Sequence, residues 1–276
     1  MSERQLAAFA DKHAWQIPFD TSPRHLAGPG DARRVTHGLA AAGWTRTSDP
    51  LSPEIVLTSP DRRHTLQFDP QSATSAWWRL RAEPTDTEPG WYTEFGELVP
   101  AEVLCSLTDA LIAPPPAQRP DLFPLLESVG WLLDARNAAY SPDAMCRVEQ
   151  RADRGDSAAA YWHVETFEPG YGTPMGPRIW HAWFDGRTPE RLVNAFITAL
   201  ADTAPVQRGM YDRTAHHSVV QQPSPLSPEQ VVEAHTARLS DIQRQVRAAR
   251  RRRPATTPAT AKAPTPPASA TTPVRR

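Results

Sequence analysis

The strongest constraint on this chain is that residues 39–200 run through one pattern twice, so it must fold as two alike units. Leu39-Ala40-Ala41-Ala42-Gly43-Trp44 returns as Leu126-Glu127-Ser128-Val129-Gly130-Trp131, and Ser59-Pro60-Asp61 as Ser141-Pro142-Asp143. Trp77-Trp78-Arg79-Leu80 is answered by Tyr161-Trp162-His163-Val164, and Trp91-Tyr92 by Trp180-His181. Pro100-Ala101-Glu102-Val103-Leu104 matches Pro189-Glu190-Arg191-Leu192-Val193, and Asp109-Ala110-Leu111 matches Thr198-Ala199-Leu200. The offset stays between 82 and 89 residues and changes only between blocks, as loop insertions would produce. Six blocks in one order mark a duplication.

Each unit carries the same predicted elements. Val35, Leu39 and Ala42 sit at helical spacing and end at Gly43, where a C-terminal residue of positive φ is wanted. Leu122, Leu125, Leu126 and Val129 do the same and end at Gly130. Strands are expected at Ile55–Thr58 and His64–Phe68, around Trp78-Leu80-Ala82, and at Trp91–Phe95. Their counterparts include Trp162-Val164-Thr166 and Ile179–Phe184. The Ser-Pro-Asp triplets read as turns, with proline at the position that favours φ near −65°. A closing helix carries Val103, Leu104, Leu107 and Leu111 in one copy and Leu192, Val193, Phe196 and Leu200 in the other. Pro100 and Pro189 suit the first helical position, and Thr188 suits an N-cap. The fold class expected is α+β: a tandem repeat of helix–four-stranded antiparallel sheet–helix units, plus a C-terminal helix and a disordered tail. Helices covering one sheet face give the repeated tryptophans a dry side, so they are expected in the core.

Composition limits the function classes. No stretch approaches the roughly 20 apolar residues a spanning helix needs. Two cysteines, Cys105 and Cys146, make no disulfide scaffold, and with no secretory pattern after Met1 a cytoplasmic location is expected. The net charge of −1 hides a split: residues 1–206 carry 18 basic and 27 acidic side chains, residues 207–276 carry 12 and 4. The basic end therefore seeks an acidic partner or the chain's own acidic body. Because 28 of the 30 cations are arginine, arginine abundance by itself says little about phosphate binding.

The run Ser22-Pro23-Arg24-His25-Leu26-Ala27-Gly28-Pro29-Gly30-Asp31, with Gly43-Trp44, Leu57-Thr58-Ser59-Pro60-Asp61, Trp77-Trp78, Trp91-Tyr92 and Phe95-Gly96, resembles the actinobacterial DUF317 domain. Trp180, Phe184, Gly186, Thr188-Pro189 and Leu200-Ala201-Asp202 resemble a second copy. The resemblance implies a Streptomyces-type source and tandem architecture over about residues 20–205. It brings no activity and no catalytic residues. The expected division is an N-terminal extension (1–20), a first DUF317-like unit (21–113), a proline-rich linker (114–120) and a second unit (121–206). A linker (207–226), a basic amphipathic helix (227–253) and a disordered Pro/Ala/Thr tail (254–276) follow.

The C-terminal helix opens on Ser227-Pro228-Glu229-Gln230, a capping box. Val232, His235, Leu239, Ile242, Val246 and Ala249 alternate at three- and four-residue spacing, a heptad-like seam. That seam can dock on the acidic body or pair with a second copy. Arg247, Arg250, Arg251, Arg252 and Arg253 close the helix, where cations suit the helix dipole and can also meet a partner or a phosphate backbone.

Motifs of known chemistry are missing: no phosphate loop, no Gly-x-Ser-x-Gly elbow, no His-Glu-x-x-His and no Cys-x-x-Cys. Gly170–Gly176 lies between strands and is no phosphate cradle; His216-His217 sits in a linker; His163 and His181 read as exposed or satisfied polar positions. No metal, no cofactor and no catalytic residue is expected. The chain is expected to be a non-catalytic interaction module that binds a protein partner or itself, with nucleic-acid binding through the arginine-rich helix end as the alternative.

Overall fold

The computed structural model describes residues 3–116, 121–151, 160–170 and 175–252. The expected tail at 254–276, Arg253 and the linker residues 117–120 lie outside the described residues. Helix α1 (Glu3–Ala14) and strand β1 (Pro18–Ser22) open the chain, followed by a 3-10 turn at Arg24–Leu26. The first half then runs α2 (Arg33–Ala41), β2 (Thr45–Arg46), β3 (Ile55–Thr58), β4 (His64–Phe68), β5 (Ala76–Ala82), β6 (Trp91–Gly96) and α3 (Ala101–Ile112). The second runs α4 (Leu122–Ser128), β7 (Leu132–Leu133), β8 (Ala138–Tyr140), β9 (Cys146–Arg151), β10 (Tyr161–Phe167), β11 (Arg178–Phe184) and α5 (Glu190–Ala201). Strands β12 (Val206–Gly209) and β13 (Val220–Pro223) lead to α6 (Pro228–Arg252). The molecule is thus mixed α+β with antiparallel sheets.

The strands of both halves join in one ten-stranded sheet, ordered β2-β3-β4-β5-β6-β11-β10-β9-β8-β7. The ladders keep the same register in each half: Leu66 faces Leu80 as Val148 faces Val164, and Ala82 faces Trp91 as Thr166 faces Trp180. The halves meet where β6 pairs β11, with Glu94 opposite Trp183. Among the described residues each half has five strands, not the expected four. The additions, β2 and β7, are two residues long and form the sheet's edges, too short to show alternation.

Alternation decides which side is dry. In β5 every second residue, Ala76, Trp78, Leu80 and Ala82, is buried. Leu66, Phe95, Val148, Val164 and Phe184 join them beneath α2, α3, α4 and α5. Phe95, Phe184 and Phe196 meet under the seam with centroids 5.2–5.5 Å apart, pairs worth roughly 0.5–1.5 kcal/mol each beyond burial. Gly43 and Gly130 end α2 and α4 at φ 93° and 89°, as the sequence spacing required. Trp44, Trp78, Trp91, Trp131 and Trp180 are buried, but Trp15 is exposed and Trp77, Trp162 and Trp183 are half-buried, so the core does not take every tryptophan.

Two further differences concern the ends. Residues 207–226 hold strands: β12 and β13 flank β1 in a separate three-stranded sheet. Its anchor is Arg208, a buried charge in a position that alternation assigns to an apolar side chain. Thr188 does not cap α5; its hydroxyl donates to the Tyr92 carbonyl at 3.4 Å, and Pro189 precedes the first helical residue. The capping box of α6 forms as read, with Gln230 N–H to Ser227 Oγ at 3.3 Å and Ser227 N–H to Gln230 Oε1 at 2.8 Å.

Candidate functional site: the open sheet face and the Ser-Pro-Asp turns

The helices α2 to α5 all take one side of the ten-stranded sheet, and α1 and α6 pack above α2. The other side is left to the alternate residues of each strand. At its centre, Arg79, Glu94, Trp183, His163 and Glu149 stand directly opposite one another across successive strands. Tyr92, His181, Tyr161, Glu165, Arg147 and Arg151 flank that row. Arg147 bonds Glu165 at 2.8 Å and lies 3.3 Å from Glu149, and Arg151 pairs with Glu149 at 2.7 Å. Tyr92 donates to Glu94 at 3.0 Å, and His181 stands 3.4 Å from the same carboxylate. Trp183 lies between the rings of Tyr92 and Tyr161, at 6.0 and 6.4 Å.

These contacts set the electrostatics. Burial, then the Glu94 carboxylate, pushes the Tyr92 phenol up to about 12. Burial alone would raise Glu149, but the Arg151 hydrogen bond and the Arg147 charge hold it below the usual carboxylate range. Burial, then the Arg178 charge, lowers His181, which therefore stays neutral at pH 7. The face is an aromatic–charge mosaic with each named carboxylate bonded. A cavity of about 380 Å³ opens at one end, walled by Trp77, Gly96, Arg178, Ile179 and His181. The outward positions of Trp77-Trp78-Arg79-Leu80-Arg81 could have shown this face from alternation; its continuity through the β6–β11 seam rests on long-range pairing that no local pattern displays.

The Ser-Pro-Asp triplets close hairpins. Ser59 Oγ donates to Asp61 Oδ1 at 2.5 Å, the His64 N–H reaches Ser59 Oγ at 2.9 Å, and the Arg63 N–H reaches Asp61 Oδ1 at 3.1 Å. The second turn repeats all three bonds, through Ser141, Cys146, Asp143 and Met145, at 2.5, 2.8 and 3.1 Å. The residue after each aspartate, Arg62 or Ala144, takes φ near +60°. The triplet is therefore a β3–β4 or β8–β9 hairpin device, with serine and aspartate satisfying loop N–H groups.

The expected site residues separate. Arg247, Arg250 and Arg251 are exposed at the end of α6; Arg244, Arg247 and Arg251 line an open groove, while Arg250 reaches the first Ser-Pro-Asp turn. Arg252 lies in α6. Of the seam, Leu239 and Ile242 are buried, Val246 is half-buried, and Val231 takes the dry position expected for Val232, which is half-buried. This seam faces α1 and α2, and Arg238 clamps it by two bonds to Asp109 at 3.1 and 2.6 Å, so its apolar stripe is used within the chain. No group of three metal-ligating side chains occurs among the described residues, and none of their helices is long and apolar enough to cross a membrane.

No curated protein and no solved structure matches the chain. Residues 58–117 and 140–206 each match the model of SPDY, a domain of unknown function (DUF317). Both matched stretches begin one residue before a Ser-Pro-Asp turn and run through the closing helix, so the two matches to the DUF317 model lie in tandem.

Proposed function

We propose that the chain is a non-catalytic interaction module, built from two copies of one helix–sheet–helix unit, that binds a protein partner on the open face of its joined sheet. The observation that carries this is the row of half-buried Tyr92, Trp183 and Tyr161 set among paired arginines and glutamates on the side away from the helices. Tyrosine, tryptophan and arginine with part of their surface already dry are what protein interfaces draw on. The carboxylates Glu94, Glu149 and Glu165 alternate with Arg79, Arg147 and Arg151, a pattern that favours a protein surface of mixed charge. Copying the unit and joining β6 to β11 doubles this face without creating a new exposed edge.

The test compares proteins retained by the wild-type chain with those retained by Trp183→Ala/Tyr92→Ala and by a helix-side control, Glu233→Ala. The expected result is a nuclease-resistant partner held by wild type and control and weakened at least 30-fold by the double variant, as truncating hot-spot aromatics does (about 2 kcal/mol or more). Equal retention by all three rejects the sheet face. Retention that disappears with nuclease, or with Ala at Arg244, Arg247 and Arg251, moves the activity to the exposed arginines of α6 and to nucleic acid.

A further inference from the structure

The two Ser-Pro-Asp turns have the same internal bonds but different company. In the second half, His25 from the 3-10 turn is buried against the turn, its Nε2 at 2.8 and 3.1 Å from the Asp143 carboxylate. The same residue's carbonyl accepts the Trp180 indole N–H at 2.8 Å. Next to it, Arg24 bonds Asp202 at 2.6 Å and the Ala199 carbonyl at 2.8 Å, fixing the segment on the end of α5. One histidine thus engages an aspartate with its ring and a tryptophan with its backbone.

By ladder register, the first-half equivalents of Asp143 and Trp180 are Asp61 and Trp91. Neither has that company. The Asp61 side chain is 64% exposed against 33% for Asp143; its contacts are the turn's own Ser59 and Arg63 groups and a distant His64 ring at 4.0 Å. The Trp91 indole has a buried ring beside His64 and no hydrogen bond of its own among the described residues. Beside Asp61, the counterpart of the carboxylate that His25 engages, the first half has a cavity of about 500 Å³. Trp44, Ser59, Asp61 and His64 line it on one side, Ile112 and Ala113 on another, and α6 contributes Val246 and Arg250.

The geometry points to this cavity as a seat for a histidine-bearing segment of a partner protein, its imidazole donating to Asp61. The chain supplies a histidine for Asp143, and among the described residues no segment outside the turn brings one to Asp61. The seat's chemistry, one charge-assisted acceptor over an apolar floor, suits a single basic ring. It is separate from the open sheet face and shares no residue with it, so either can fail alone.

The probe is the chain's own occupant in trans, a synthetic peptide of residues 22–28, Ser-Pro-Arg-His-Leu-Ala-Gly. Titrated into the full chain and followed by amide chemical shifts, it should move Ser59, Arg63 and His64 saturably. Asp61→Asn, which keeps the acceptor that holds the turn, should weaken binding at least tenfold. A peptide with alanine in place of histidine should do the same. No saturable shift at these amides, or equal binding by Asp61→Asn, overturns the proposal. So does a response at Met145 and Cys146, which would mean that the peptide only displaces His25. Shifts of the first-turn amides with protein concentration alone, without peptide, would give the seat to a second copy of this chain and also overturn it.

Discussion

Arg208→Met isolates the one arginine that is completely buried among the described residues. Its side chain is 1% exposed and uses all five N–H donors: Nε to the Ala27 carbonyl at 2.9 Å, Nη1 to Glu102 at 2.9 Å and the Gln207 carbonyl at 2.7 Å, Nη2 to the Gly28 carbonyl at 2.9 Å and Glu102 at 3.0 Å. Methionine fills similar volume but leaves Glu102, its side chain 17% exposed, with Arg34 at 3.5 Å as its remaining cation. A buried charge stripped of its partner costs about 3–5 kcal/mol. In the native chain, burial would raise Glu102, but the charges of Arg208 and Arg34 outweigh it and hold the carboxyl below its ordinary value. Native Glu102 therefore stabilises above the unfolded carboxylate pKa, and that stability is lost as pH falls through the folded value. Without Arg208 only the Arg34 charge opposes burial, so the carboxyl rises and the deficit of the variant shrinks as pH falls through its folded value and on below the ordinary carboxylate range. Urea unfolding at pH 7 should show a loss of about 3–5 kcal/mol for Arg208→Met, partly recovered in Arg208→Met/Glu102→Leu, because the apolar pair removes the stranded charge while the Ala27, Gln207 and Gly28 carbonyls stay without their donor. A single variant within 1 kcal/mol of wild type, or a double variant no better than the single, would refute this assignment of the buried charge.

Other outcomes follow from the same contacts. His235 on α6 stands 3.2 Å from His37 on α2, stacked on Phe9 of α1 and facing Arg33, Arg34, Arg238 and Asp31. Burial, then the Arg34 charge and His37, lowers its pKa to about 3. A lowered histidine stabilises the docked state above its unfolded pKa of about 6.5 and loses that stability as pH falls from there toward the folded value. The protection of α6 amides, taken relative to their intrinsic exchange rate at each pH, should therefore fall between pH 6.5 and 5, by about 2 kcal/mol of docking energy at pH 5; unchanged protection over that range contradicts the buried pair. Leu239→Ala should cost about 2–5 kcal/mol in thermal or urea unfolding, concentrated in α6, because that side chain is buried against the body. A loss below 1 kcal/mol would place the seam in solvent. Burial raises the thiols of Cys105 and Cys146 to about 12, so neither should react with a disulfide reagent at pH 8 until the chain unfolds. Prompt labelling of the native chain would mean that these residues are not in the core.

Much of the fold was legible because its signals are local. Gly43 and Gly130 fixed helix ends through a backbone requirement, and the Ser-Pro-Asp turns fixed two hairpins through short-range hydrogen bonds. The six matching blocks gave the element order, and the constant ladder register explains why their offsets change only in loops. What escaped was non-local. Joining the halves needs Glu94 to find Trp183, 89 residues away, and no period encodes that choice. Strands β1, β12 and β13 have four or five residues each and depend on Arg208, whose charge reads as solvent-facing. Tryptophan content spoke for a core, and five indoles went there; Trp183 went to the open face because the pleat places it one residue from Ala182 and Phe184. His25 and Asp143 are 118 residues apart, so the asymmetry of the two turns could not be read from their identical triplets.

Covalent side-chain labelling of the chain, free and in the complex recovered from cells, compares the open face with unrelated exposed aromatics in one measurement. Partner binding on the sheet predicts strong protection of Trp183, Tyr92 and Tyr161, with Trp15 and Tyr211, 89% and 81% exposed on the opposite assembly of α1 and β12, labelled equally in both states. Protection of Trp15 and Tyr211 with the sheet aromatics unchanged would contradict the account.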